Sequence, residues 1–221
     1  MSKENLLQSS IGRKFVMGLT GLFLISFLIV HVSINACIFF NDGGTTFNTA
    51  ADFMAHNIIV RIMEVGLFAG LIIHIVQAYA LTIRNNKARP VKYVANNGGA
   101  NSTWYSRSMA LLGTLLLMFL VVHLGNFWIP TKIAVYSNEA HDTFSGMKAV
   151  FSQWYLVAIY VIGNISLAYH LLHGFQSAFQ TLGMNHRKYT PLIKKAGIAF
   201  SIIVPLIFAA MPISMFMGWI R

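Results

Sequence analysis

A chain of 221 residues that is 56% hydrophobic and only 10% charged, with a mean hydropathy of +0.63, does not read as a soluble domain, because soluble domains carry roughly a quarter charged residues. Its formal net charge of +10 does not mark a nucleic-acid binder either, since the basic residues lie between apolar spans rather than on a compact polar surface. The single cysteine, Cys37, excludes an internal disulfide and any cysteine-rich metal cluster.

Five apolar stretches follow in chain order, roughly Phe15–Phe40, Ile58–Ile83, Met109–Ile129, Trp154–Thr181 and Ile198–Ile220. Each is near or above the ~20 residues a helix needs to cross a bilayer. The expected fold is therefore all-α, an integral membrane bundle of five transmembrane helices forming one domain over residues 1–221. The first stretch is too long for a cleaved signal peptide and has no small-residue cleavage site. The fifth contains Pro205 and Pro212, which membrane helices tolerate. No region of domain size remains outside the spans, so chemistry beyond the membrane is expected to belong to partners.

The connections alternate in charge. Lys3, Arg13 and Lys14 precede the first span; Arg84, Lys87, Arg89, Lys92 and Arg107 follow the second; Arg187, Lys188, Lys194 and Lys195 follow the fourth. The other two connections hold only Lys132 and Lys148 beside Asp42, Asp52, Glu139 and Asp142. The positive-inside rule then puts the N-terminus in the cytoplasm and Arg221 outside.

Four of the spans carry one central histidine each: His31, His74, His123 and His170. Ionisable side chains are costly inside a bilayer, so intramembrane histidines point to function. Orientation gives their depth. His31 lies ten residues before Asn41 and His123 seven before Pro130, whereas His74 lies 17 after Asn57 and His170 16 after Trp154. At 1.5 Å per residue the first two sit roughly 10–15 Å below the outer edge and the others roughly 24–26 Å below it. Depth thus pairs His31 with His123 at an outer level and His74 with His170 at an inner level. Two pairs of imidazoles in a helical bundle suit two bis-histidine haem b groups, the four histidines being the iron ligands. His173, one turn from His170 on the same face, is the rival ligand; His56, His141 and His186 lie at the edges and in loops. Gly18, Gly21 and Gly113 at inner depth, with Gly66, Gly70 and Gly163 further out, suit either a flat macrocycle or ordinary close packing of membrane helices.

The segments Ser10-Ile-Gly-Arg-Lys-Phe and Leu19-Thr-Gly-Leu-Phe-Leu, the His74 helix, His123-Leu-Gly-Asn, and Tyr169-His-Leu-Leu-His-Gly with Leu182-Gly make the chain specific. Over almost its whole length it resembles the cytochrome b membrane-anchor subunits of succinate dehydrogenases and fumarate reductases, in their single-chain, five-helix, dihaem class. The resemblance implies the same pairing of the first with the third and the second with the fourth helix, and a fourth ligand at His170 rather than His173. It implies a bacterial inner-membrane complex with a flavoprotein subunit carrying FAD and an iron–sulfur subunit docked on the inner loops. Electrons would pass from the iron–sulfur clusters to a quinone, expected to be menaquinone, and complexes of this kind can pair as dimers. Some relatives use a glutamate two residues before the fourth ligand for transmembrane proton movement; here that position is Ala168.

The quinone site does not transfer residue by residue. Asp52, His56 and Glu64 near the outer level are the candidates for proton exchange with it, and Asn35 and Asn126 are further polar groups there. Glu64 stands inside an apolar helix; an ion pair with Arg61, three residues earlier, is the simpler expectation for it. Arg13, Arg61 and Arg107, with Lys14, are the expected partners of haem propionates. Two other readings stay open: a stand-alone transmembrane dihaem electron carrier, and a non-redox membrane transporter.

Overall fold

The computed structural model describes residues 9–88, 102–137, 139 and 142–221. Every element among them is helical, and five helical runs are long and apolar enough to cross a membrane: Ile11–Phe40, Ile58–Lys87, Met109–Ser137, Trp154–Thr181 and Thr190–Phe216. The chain is an all-α membrane bundle. Helix α1 is Ser10–Asn35, followed by a 3-10 turn at Ala36–Phe40; then come α2 (Thr45–His56), α3 (Ile58–Lys87), α4 (Trp104–Arg107) and α5 (Met109–His123). A π-helical segment, Leu124–Trp128, joins α5 to α6 (Ile129–Ser137), and α7 (Thr143–Phe151), α8 (Trp154–Thr181) and α9 (Thr190–Phe216) complete the chain.

Local chemistry sets these boundaries. Ser9 caps α1 through its side chain to Gly12 N at 3.0 Å, and Asn57 caps α3 through Ile59 N and Val60 N. Pro191 in the first turn lets α9 begin at Thr190, well before the apolar run expected from Ile198. The third span continues past Ile129 to Ser137, running through Pro130 without a break in the helix. The proline's missing donor leaves the Asn126 carbonyl without its helical partner, at the point where the chain widens to π geometry.

Long helices contact in a simple order. Helix α1 packs on α3 and α8, α5 packs on α8, and α9 lies along α8 and touches α1. Helices α3 and α5 meet at few places. No residue of α3 is buried, as expected of a helix whose outer face is left to lipid.

The connections at the end of the bundle that holds Asn41 and Arg221, called the outer end after the expected orientation and expected only as loops, contain α2 and α7, two amphipathic helices that cover that end. Phe47 of α2 packs against Phe144 of α7, and Met147 and Phe151 join Val157, Met211, Met215 and Ile220 in one buried cluster. After α9, Gly218 takes a left-handed conformation (φ 69°), its neighbours close a C-terminal turn, and the Arg221 amide donates to Asn41 Oδ1 at 2.8 Å. Asp142 caps α7: its carboxylate accepts from Ser145 N at 3.0 Å and from the Asn48 amide of α2 at 2.8 Å. Hydrogen bonds from Ser145 and Asn48 hold its carboxyl well below the usual carboxylate range, at about 2. A depressed pKa means its contribution is present above the unfolded value and fades as pH falls toward 2. Asp142→Ala is expected to cost about 1 kcal/mol at neutral pH, the usual worth of an N-cap. It should also increase hydrogen exchange in α7 while leaving the long helices protected; unchanged exchange in α7 would refute the cap.

Candidate functional site

The four central histidines come together as two pairs. His31 of α1 and His123 of α5 have ring centroids 5.7 Å apart with planes at 90°; His74 of α3 and His170 of α8 are 6.3 Å apart at 65°. Two imidazoles on opposite sides of one metal, with metal–nitrogen bonds of about 2.0–2.1 Å, would place their centroids on the order of 6 Å apart. The pairing is the one that depth predicts, and it joins helices that sequence separates widely.

Each pair has its own surroundings. Around the outer one, Phe27 stacks on His31 at 5.1 Å, Phe119 on His123 at 5.7 Å, and Phe127, Tyr160 and Phe208 close the ring of aromatics. The π segment turns Asn126 so that its amide donates to the Tyr160 hydroxyl at 3.3 Å. Tyr160 also packs edge-on against Phe151 of the outer cap, which ties that cap to the histidine level. At the inner pair the groups are smaller. Thr20 Oγ1 lies 3.2 Å from His74 Nδ1, and Thr20 lines a cleft of about 490 Å³ with Leu19, Leu22 and Phe23. Gly21 faces His74, where a Cβ would stand 3.7 Å from its Cε1, and Gly113 faces His170 at 3.8 Å.

The glycine expectation therefore divides. Gly21 and Gly113 border the inner imidazoles, while Gly18 lies against the Ala178 carbonyl and Thr181 as a helix-packing contact. Gly70 and Gly163 face the rings of Phe23 and Phe119.

The residues present fit two iron macrocycles. Each pair supplies two imidazole ligands, so a metal there would take its remaining ligands from a cofactor, as haem iron does. The buried Nδ1 atoms of His123 and His170, and Gln77 Oε1 one turn from His74, have no hydrogen-bond partner among the described residues. Buried polar atoms without partners are rare and mark places where a further group belongs. Asn35 Nδ2 donates to the His31 carbonyl at 2.8 Å and approaches His31 Nδ1 at 3.4 Å. His173 is half-buried in α8 and outside both pairs.

The outer polar candidates are not one cluster. Asp52 and His56 pair with each other at 3.0 Å on exposed α2, an arrangement worth little in water. Glu64 does not pair with Arg61 as expected. Its carboxylate accepts from Lys132 Nζ at 2.6 Å and from the Trp128 indole N–H at 2.5 Å, both on the third span. The reason is reach: α6 continues the helix beyond Pro130 and carries Lys132 to the level of Glu64, where both side chains are mostly buried (16% and 23% exposed). Arg61 instead lies over the Tyr136 ring at 5.7 Å. Lys132 and Trp128 are the residues sequence reasoning missed here; a lysine counted as a loop charge gave no sign of them. Of the expected propionate partners, Arg107 is engaged with the Ser102 carbonyl and hydroxyl, and Arg13 is half-buried near the inner end of α1. The predicted surface histidine His141 lies outside the described residues.

Compared with protein-family models, curated proteins and solved structures, the chain has no match. Fold and geometry define an all-α membrane bundle whose interior holds two pairs of imidazoles, one pair between α1 and α5 and the other between α3 and α8.

Proposed function

We propose that this chain is the membrane anchor and electron conduit of a succinate:quinone oxidoreductase, the quinone-reactive subunit of a complex whose dicarboxylate site lies on another chain. The observation that carries the reading is the meeting of four membrane-embedded histidines as two pairs, each joining two different spans. His31 and His123 would hold the outer haem b, and His74 and His170 the inner one. Two haems so held supply one-electron carriers at two depths, linking an iron–sulfur subunit on the basic inner side to a quinone on the outer side. FAD and the iron–sulfur clusters belong to the partner subunits.

The chain's own residues set the conditions. Phe27, Phe119, Phe127 and Phe208 keep the outer imidazoles in an apolar shell, which with the axial ligands and nearby charge is what tunes a haem's potential. Glu64, backed by Lys132 and Trp128, is the membrane-embedded acid on the outer side and the group best placed to exchange protons with a quinone. The basic inner segments around Arg84–Arg107 and Arg187–Lys195 would receive the iron–sulfur subunit.

Purification from native membranes with identification of the co-purifying subunits and reduced-minus-oxidised spectra tests the reading. Two b-type haems per chain and a succinate-reducible spectrum are expected. A lone chain with those spectra would favour a stand-alone carrier, and absence of b-type bands would refute the haem reading altogether. The proposed placement is a bacterial inner membrane with the N-terminus in the cytoplasm. In a Cys37→Ser background, single cysteines at Asn96 and Asn138 should label from opposite sides; labelling of both from one side would overturn the orientation.

A further inference from the structure

We infer that Thr20 is a positioning residue that fixes the tautomer of His74 and thereby presents its Nε2 to the inner iron, an inference resting on the dihaem reading above. The argument is a count of protons. Thr20 Oγ1 has one, and it stands 2.9 Å from the Val16 carbonyl and 3.2 Å from the Met17 carbonyl, both of which can only accept. Back-bonding of this kind to the preceding turn is the usual use of a helical threonine hydroxyl. With its proton committed there, Oγ1 can meet His74 Nδ1 at 3.2 Å only as an acceptor. Nδ1 must then carry the ring proton, and the Nε2 lone pair is left for a metal. The nitrogen that binds a metal is set by the bond its ring partner makes.

This arrangement distinguishes His74 from the other three. His123 and His170 have Nδ1 atoms with no partner among the described residues, and His31 Nδ1 meets the Asn35 amide only at 3.4 Å. Thr20 belongs to α1, the helix that carries the outer ligand His31, while His74 belongs to α3. The same helix thus supplies one outer ligand and orients one inner ligand, which locks the α1–α3 contact to the geometry of the inner site. Ser166 is the nearest counterpart on α8, one turn before His170, but its hydroxyl donates to the Leu112 carbonyl at 3.0 Å and no bond to His170 is formed.

An acceptor on Nδ1–H makes an imidazole a stronger donor to iron and favours the oxidised metal. The test compares wild type, Thr20→Val and Thr20→Ser in the complex purified with its native haems, reading haem per chain and the midpoint potential of each haem by spectroscopic titration. Thr20→Val keeps the shape and loses the oxygen. It should shift the inner haem toward reduction by about tenfold in the reduced-to-oxidised ratio, or ~59 mV for one electron. It should also weaken retention of that haem by on the order of 10–100-fold. The outer haem should not move, and Thr20→Ser should restore both properties. An inner potential unchanged in Thr20→Val, or Val and Ser variants altered alike, overturns the inference while two haems in the wild type leave the functional reading standing. A wild type without haem overturns that reading and this inference together. Thr20→Ala, which adds no atoms, replaces the valine variant if that one fails to assemble, with the same outcomes.

Discussion

Replacing His170 by alanine is expected to halve the haem content, leaving one b-type haem per chain and abolishing the inner centre. In the proposed reading the His170 imidazole and that of His74, 6.3 Å away by ring centroid, are the two ligands at that level. A haem iron deprived of one strong axial ligand in an apolar interior has no substitute at hand unless a neighbouring side chain can swing in. His173 is the one to exclude, because it follows His170 by one turn on the same helix. His173→Ala should therefore retain both haems, and His74→Ala should reproduce His170→Ala. His31→Ala and His123→Ala should remove the outer haem instead, since those rings pair at 5.7 Å within a separate aromatic shell. Pyridine haemochrome counts and low-temperature difference spectra, taken on each variant in membranes, decide it. An unchanged haem count in His170→Ala, or loss of haem in His173→Ala alone, would move the ligand by a turn. Loss of both haems in every variant would show that the two levels do not assemble independently.

The histidine pairs were legible in the sequence because a bilayer turns an ionisable residue into a signal, and because loop charges supply the direction from which depth is counted. Span boundaries were less so. The third span was expected to stop at Ile129, yet the helix runs through Pro130 to Ser137, the proline's missing donor falling where the chain widens to π geometry. The outer helices α2 and α7 escaped because each is short, 12 and 9 residues, and their burial depends on one another. Phe47 is covered only because Phe144 arrives from a segment far along the chain. Thr20 carried no mark at all: in a list of residues it is one more small side chain in a membrane helix, and its meaning comes from His74, 54 positions away.

Glu64 shows the limit most clearly, and its replacement by glutamine is expected to have the second-largest effect. Sequence spacing offered Arg61 as the partner, on the rule that residues three apart share a helix face. The structure gives Glu64 to Lys132 and Trp128 across the gap between α3 and the third span, with Phe68 and Trp128 rings 5.1 Å apart beside them. A carboxylate, an ammonium and an indole N–H form one membrane-embedded group that is largely screened from water and compensated in charge. Glu64→Gln keeps the size and the acceptor toward the indole but cannot take up or release a proton. Quinone turnover should fall by about 10²–10⁴, the usual contribution of a general acid–base group, while both haems stay bound and succinate oxidation with an artificial dye survives. Asp52→Asn and His56→Gln should slow it far less, because that pair is exposed on α2 and in contact with solvent. Lys132→Met distinguishes the two roles of the cluster. If Lys132 positions the carboxylate for the quinone, its removal should lower quinone turnover with thermal stability kept, whereas a purely structural pair would lower thermal stability and leave turnover in place. Full quinone turnover in Glu64→Gln, or a quinone-site inhibitor bound instead at the inner end near Arg13 and Trp104, would remove Glu64 from the site and place the exit of electrons on the other side of the membrane.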